Sequence, residues 1–141
     1  MKLFFTITKG RLAVIFCSIV IVFIGFVWTS SLRVCAIDGS THAKRMIYIQ
    51  SLNVSVDESG YTFKQTTIPE NFSDVYLNYN KLQKKGGFDL SDYKGKQVMV
   101  YSYPLTDSAK NLTLIIYNGQ IIGGDIAETK IGGKMTEIRK Y

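Results

Sequence analysis

One uninterrupted hydrophobic run near the N-terminus constrains this chain more than any other feature. Residues 12–28 include no charged side chain. At ~1.5 Å rise per residue, a helix of this length reaches about 25 Å, near the lower limit for spanning the hydrocarbon core of a bilayer. Uncharged residues continue to residue 32, and Trp28 suits the headgroup level at the outer end. The run therefore predicts a transmembrane helix over residues 12–32.

Basic residues on either side of the run predict its orientation. Three precede it, namely Lys2, Lys9 and Arg11, whereas Arg33 alone stands close after it. The positive-inside rule places the more basic flank in the cytoplasm. We therefore expect residues 1–11 in the cytoplasm and a single-pass protein of the cell membrane whose C-terminal domain is extracellular.

A cleaved signal peptide is the alternative interpretation of the same run. Val34, Cys35 and Ala36 offer an acceptable cleavage site, and the domain would then be secreted. The run exceeds the usual ~7–15-residue core of a signal peptide, which favours an uncleaved signal anchor. Cys17 and Cys35 would lie at different depths, too far apart for a disulfide, so Cys35 is a free thiol or pairs between two chains.

The charge of the remaining chain argues against nucleic-acid binding. Of the 17 basic residues, 14 follow residue 28 together with all 11 acidic residues, so this part carries a net charge of only +3. Domains that bind nucleic acid usually present a denser basic surface. We expect the membrane as a partner and no nucleic acid.

A single domain is predicted over residues 41–135, between a tether at 33–40 and a tail at 136–141. Residues 41–52 predict a first helix, which Asp38 or Ser40 can cap. Residues 71–85 predict a second helix. Their apolar side chains recur at helical spacing, at Phe72, Val75, Tyr76, Tyr79 and Leu82.

Strand patterns fill the rest of the domain. Residues 54–68 predict a strand, a turn and a second strand. A three-strand meander follows at 97–103, 111–117 and 120–126, with Asn118-Gly119 as its strongest hairpin signal. Gly123-Gly124 within the last strand predicts a bulge or a close backbone approach. The expected fold class is α+β, with two helices packed on one face of a curled antiparallel sheet.

The sequence offers little catalytic chemistry. His42 is the only histidine, and it fits an exposed surface position better than a base or a metal ligand. Asp89, Asp92 and Asp125 are the carboxylates to weigh for a hydrolase or a cation site, but turn capping accounts for the first two. We therefore expect no enzyme, no metal site and no cofactor.

Tyrosines near the glycine pair form the candidate ligand or partner surface. A tyrosine-lined groove can bind a peptide or glycan, although tyrosine also packs in strands for structural reasons alone. The candidate residues are Tyr93, Tyr101, Tyr117, Gly123, Gly124 and Asp125.

Five separated motifs stand out in the predicted domain. They are RMIYIQSL at 45–52, Ile68-Pro69, VYLNYNKLQ at 75–83, GFDLSDYKGK at 87–96 and YNGQIIGGD at 117–125. Together they resemble an uncharacterised domain family of clostridia and related Firmicutes. The resemblance covers about residues 41–135 and implies an N-terminal membrane segment followed by a small exported α+β domain. Asn53-Val54 departs from the Gly-Trp usual in that family. The resemblance implies no particular activity.

These observations predict a non-enzymatic binding or regulatory module on the outer face of a bacterial membrane. Such a module would contact another envelope protein. The alternative is an exported domain that binds a glycan or a peptide.

Overall fold

The computed structural model describes residues 36–139 of the chain. The predicted cytoplasmic segment and membrane helix, as well as the start of the tether, lie outside the described residues. Within residues 36–139, neither α-helix has the length and apolar character needed to cross a bilayer.

Two α-helices, a short 3₁₀ helix and six strands make up the described range. The α+β class is therefore confirmed. In chain order the elements are β1 Ile37–Asp38, α1 His42–Ser51, β2 Thr62–Thr67, α2 Asp74–Lys85, the 3₁₀ helix Leu90–Tyr93, β3 Gln97–Pro104, β4 Lys110–Tyr117, β5 Gln120–Glu128 and β6 Met135–Glu137.

The strands form one antiparallel sheet in the order β1-β5-β4-β3-β2. β6 also pairs with β5, toward the opposite end from β1. The predicted meander is confirmed as β3, β4 and β5. Since β2 pairs only with β3 in the described range, it is an edge strand.

The β4–β5 hairpin turns at Asn118-Gly119, as predicted. These residues have φ of 47° and 78°, the left-handed values that a two-residue turn of this type requires. The predicted bulge is also present, because the register shifts so that Ile115 faces Gly123 while Ile116 faces Ile121. Ile122 is the extra residue.

The two helices lie on opposite faces of the sheet, so the prediction that both pack on one face is wrong. Leu112, Leu114 and Ile116 of β4 share a core with α1, whereas Ile115 and Tyr117 pack with residues of α2 and the 3₁₀ helix. The physical reason is that β4 is apolar on both sides, and each apolar face must be covered.

Hydroxyl side chains determine where both helices begin. Thr41 Oγ1 accepts from the N–H of Lys44, and Ser73 Oγ accepts from the N–H of Tyr76. The prediction that Asp38 or Ser40 caps α1 is wrong. Asp38 instead accepts hydrogen bonds from Ser40 and pairs with Lys44 at 3.0 Å, which lowers the pKa of its carboxyl to about 2.

Several predicted boundaries differ from the structure. The first strand predicted within 54–68 is reduced to a single bridge between Val56 and Leu105. The domain also extends into the predicted tether and tail, since Ile37 and Ile138 are 4% and 3% exposed in the core. Both segments are held by pairing with β5, which is distant in sequence and leaves no local pattern.

Replacing Gly124 by alanine tests the packing between β4, β5 and the segment after β6. A Cβ added here would collide with the Thr113 carbonyl oxygen and the Ile138 side chain. We expect Gly124→Ala to lower the free energy of unfolding by about 1–3 kcal/mol, measured by urea denaturation. Gly60→Ala is the matched control, because its Cβ would meet the flexible Asp57 carboxylate first. Equal stability of the two variants would contradict this packing.

Candidate functional site

Four of the six predicted site residues lie on the α2 side of the sheet or beside it. The Tyr93 and Tyr117 rings meet edge to face, with their centroids 5.5 Å apart. Gly123 and Asp125 are on the same side, because they pair with β4 residues whose side chains point toward α2. These four residues are brought to one face.

Tyr101 and Gly124 lie on the other face. Both pair with Leu114, whose side chain belongs to the core beneath α1. Tyr93, Tyr101 and Tyr117 therefore do not share the predicted groove. Strand register, rather than distance along the chain, decides which tyrosines meet.

Asp125 is a buried carboxylate beneath α2. It is 2% exposed, and the Tyr79 hydroxyl donates to its Oδ1 at 2.8 Å. Burial raises the pKa of Asp125, and the hydrogen bond from Tyr79 only partly opposes this effect. Burial and the neighbouring carboxylate also raise the pKa of Tyr79. The pair therefore keeps its proton on the tyrosine.

Gln83 joins α2 to the glycine pair, and sequence reasoning missed it. This fully buried side chain accepts a hydrogen bond from the Gly124 N–H at 2.8 Å through Oε1. A Cβ at Gly123 would lie 2.8 Å from the same oxygen, so the glycine permits the helix to approach. Gln83 Nε2 has no hydrogen-bond partner among the described residues. No local pattern marks Gln83 as buried, because its partner Gly124 lies 41 residues away in the chain.

The other candidate carboxylates do not converge on a reactive centre. Asp89 accepts from Asn80 and Ser91 at the start of the 3₁₀ helix and pairs with Lys84 at 2.9 Å. Burial alone would raise the pKa of Asp89, but these hydrogen bonds lower it below its usual value. Across residues 36–139, no three side chains of the metal-binding types come together in a possible ion site.

A cavity of about 210 Å³ opens on the α2 side of the sheet. α2 packs against β5, β6 and the 3₁₀ helix, and it leaves part of the β2–β3–β4 surface uncovered. Tyr76 and Tyr79 line the cavity from the helix. The sheet contributes Lys64, Thr66, Ile68, Val98, Val100, Thr113 and Ile115. We call this space the α2-side cavity.

The chemistry of the α2-side cavity suits part of a larger ligand. Its volume is below the ~300–1,000 Å³ of pockets that enclose a drug-sized molecule. Val98 and Ile115 are buried in its apolar floor, whereas Lys64 and Thr66 are exposed on β2 at its edge. The cavity can therefore hold an apolar side chain of a ligand while Lys64 at its edge contacts an anionic group of the same ligand.

A second aromatic surface lies on the α1 side. Tyr61 stacks on His42 and Tyr103, with centroids 5.2 and 5.3 Å away, and Phe63 lies 5.7 Å from Tyr101. These five rings form the aromatic array. His42, which was predicted to be a surface residue, has a side chain that is 38% exposed and belongs to this stacked cluster.

Arg45 supports the aromatic array from below. Its guanidinium carbon lies 3.8 Å from the Tyr101 ring centroid, and its Nε donates to the Tyr103 hydroxyl at 2.8 Å. Phe63 remains 62% exposed above these contacts. An arginine held against aromatic rings fixes their orientation, which leaves a rigid apolar surface beside β2.

Asp125 predicts a pH dependence with a definite sign. Its raised pKa in the fold means that the charged carboxylate destabilises the domain at pH 7. The free energy of unfolding of the wild type, relative to that of Asp125→Asn, should therefore increase as the pH falls from 7 toward ~4, the ordinary carboxyl pKa. Denaturant unfolding of both proteins across this range measures the difference, in which the opposing contributions of the other carboxylates cancel.

The hydrogen bond from Tyr79 to Asp125 can be tested in the same assay. Tyr79→Phe should lower the free energy of unfolding by about 1–3 kcal/mol at pH 7, because it leaves a buried acceptor unsatisfied. A difference between wild type and Asp125→Asn that does not change with pH would contradict the buried carboxylate.

Comparison with known proteins gives one match. The family described as Domain of unknown function (DUF4830) matches residues 49–126, more than half of the chain and most of the described fold. No curated relative and no solved structure matches the chain. The resemblance to an uncharacterised domain family is confirmed, while its Firmicutes origin and membrane segment stay predictions. The chain belongs to the DUF4830 family.

Proposed function

We propose that this protein is a membrane-anchored, non-enzymatic binding module that contacts another envelope protein outside the cytoplasm. The α2-side cavity carries the proposal. It has an apolar floor, two tyrosines on one wall and a lysine at its edge, and it opens beside α2 on the same face of the sheet.

The size of the α2-side cavity favours a polypeptide partner. About 210 Å³ holds a single side chain or a similar small group. A ligand that fills it must therefore obtain further contact from the surrounding surface. Lys64 and Thr66 of the adjoining β2 are exposed on the same face and available for this contact.

The carboxylate chemistry supports binding rather than catalysis. Asp89 is engaged in capping the 3₁₀ helix, and Asp125 is buried against Tyr79. A general acid or base must reach a substrate proton. Both groups are instead held by neighbouring side chains within the fold, Asp89 by Ser91 and Asn80 and Asp125 by Tyr79.

Retention of the anchor is the membrane part of the proposal. Residues 12–28 are uncharged and follow three basic residues, which supports an uncleaved segment with its N-terminus in the cytoplasm. We expect the mature protein in the membrane fraction to retain residues 1–36, which peptide mapping by mass spectrometry measures. A soluble product beginning near residue 36 would instead identify a cleaved signal peptide.

Site-specific crosslinking tests the binding proposal. A photoreactive phenylalanine analogue at Thr66, beside the α2-side cavity, should crosslink to a second envelope protein in intact cells. The same analogue at Lys130, in the exposed segment before β6, is the control position. Recovery of this chain alone, or equal crosslinking from both positions, would count against the proposal.

Filling the cavity gives the corresponding loss of function. Val100→Phe should reduce crosslinking from Thr66 at least tenfold, because the added ring occupies the cavity. Ser102→Phe adds a ring to the same strand and face outside the cavity lining, and should retain crosslinking. Melting temperatures of the two variants show whether either change acts through folding.

A glycan is the second candidate ligand, supported by the aromatic array. Stacked rings with an exposed Phe63 offer a flat apolar surface of the kind that sugars contact. Binding that survives Val100→Phe but is lost in Phe63→Ala would assign the function to the aromatic array.

A further inference from the structure

The outer side of β2 is open to an additional strand. All six residues of β2 are exposed, and within residues 36–139 no strand pairs with its outer side. The N–H of Ile68, directly after β2, donates to the Lys96 carbonyl at 3.0 Å and so points toward β3. Backbone groups alternate in direction along an antiparallel strand, so those of Phe63, Gln65 and Thr67 point outward. An open row of this kind is a template for strand pairing.

A different binding surface flanks each face of this edge. Lys64 and Thr66 project toward the α2-side cavity, whereas Phe63 projects toward the aromatic array. A strand added beside β2 would send alternate side chains to these two surfaces. Recognition by strand addition works in this way, with main-chain hydrogen bonds for affinity and side-chain pockets for specificity.

Charge indicates the chemistry of the added strand. Lys64 is the only ionisable residue of β2, and it forms no ion pair with any residue of the described range. It stands beside an apolar cavity, where water screens a charge less than in bulk solvent. An acidic side chain on the incoming strand would complement it.

A second copy of this chain fits the edge less well. Antiparallel pairing of β2 with itself about a two-fold axis puts both Lys64 side chains on one face, at the same or neighbouring positions. Like charges at such positions oppose pairing. The lysine therefore discriminates against self-association and favours a partner of opposite charge.

We propose that β2 binds an extended acidic segment of another protein by strand addition. The acidic side chain lies beside Lys64, an apolar side chain enters the α2-side cavity, and its neighbours contact Phe63. This inference rests on the proposed function and supplies the partner chemistry and the binding mode.

Selection from a display library of random 12-residue peptides tests the inference, with the full-length chain in detergent as bait. Selected peptides should share an acidic residue within an apolar alternating pattern. Fluorescence polarisation should show at least tenfold weaker binding to Gln65→Pro, which removes an outward N–H and leaves the β3 ladder intact. Gln65→Ala is the matched control, because it keeps that N–H, and it should bind within about twofold of wild type.

If Gln65→Pro lowers the melting temperature, its weaker binding could reflect a fold defect. Exchanging the charges of Lys64 and of the peptide gives a test that does not depend on this variant. Lys64→Glu should bind the selected peptides at least tenfold more weakly. Peptides with lysine in place of the acidic residue should regain binding to this variant, which a fold defect could not produce.

Three results would overturn strand addition. They are failure to select acidic peptides, equal binding to wild type and Gln65→Pro, and a wild-type dimer that Gln65→Pro separates in sedimentation. If the selected peptides bind Gln65→Pro as tightly as wild type but no longer bind Val100→Phe, strand addition is wrong. Binding at the α2-side cavity, which carries the proposed function, would then still hold.

Discussion

The pairing of β4 with β5 decides which face of the sheet receives each important side chain. The bulge at Ile122 adds one residue to β5, so Gly124 faces α1 and Asp125 faces α2. If Ile122 instead paired with Ile115 in the regular hairpin register, Asp125 would lie opposite Leu112, in the core beneath α1. Because side chains alternate at every position, a single inserted residue exchanges the two faces for everything that follows it.

The position of α2 follows from that register. Its two buried residues are polar, Asn80 and Gln83, and it contacts β5 through the Gln83 amide and through the Tyr79 hydroxyl on Asp125. Gly123 permits the close approach. The helix thus lies over β5 and β6, and its Tyr76 and Tyr79 pack with the core that holds Val98 and Ile115 while the α2-side cavity stays open toward β2. The position of α2 thus leaves the α2-side cavity next to the exposed edge of β2. One extended ligand can therefore contact both.

Several elements were predictable because their signals are local. Asn118-Gly119 requires positive φ, the strands of the meander alternate or run apolar, and both helices show helical spacing. The candidate site was only partly predictable. Tyr93 and Tyr117 meet, but Tyr101 lies across the sheet, and Gln83 and Arg45 resemble solvent-facing residues in the sequence. Their burial depends on contacts with distant strands.

The sequence by itself determined the α+β class, the meander with its hairpin turn, and membership of the DUF4830 family. It also contains the charge asymmetry on which the proposed topology rests. Tertiary structure alone decided that the helices take opposite faces, that Ile37 and Ile138 complete the core, and that β2 forms an open edge. The physical reason is that propensity and turn chemistry act between neighbours, whereas register and burial arise from pairs of residues far apart in the chain.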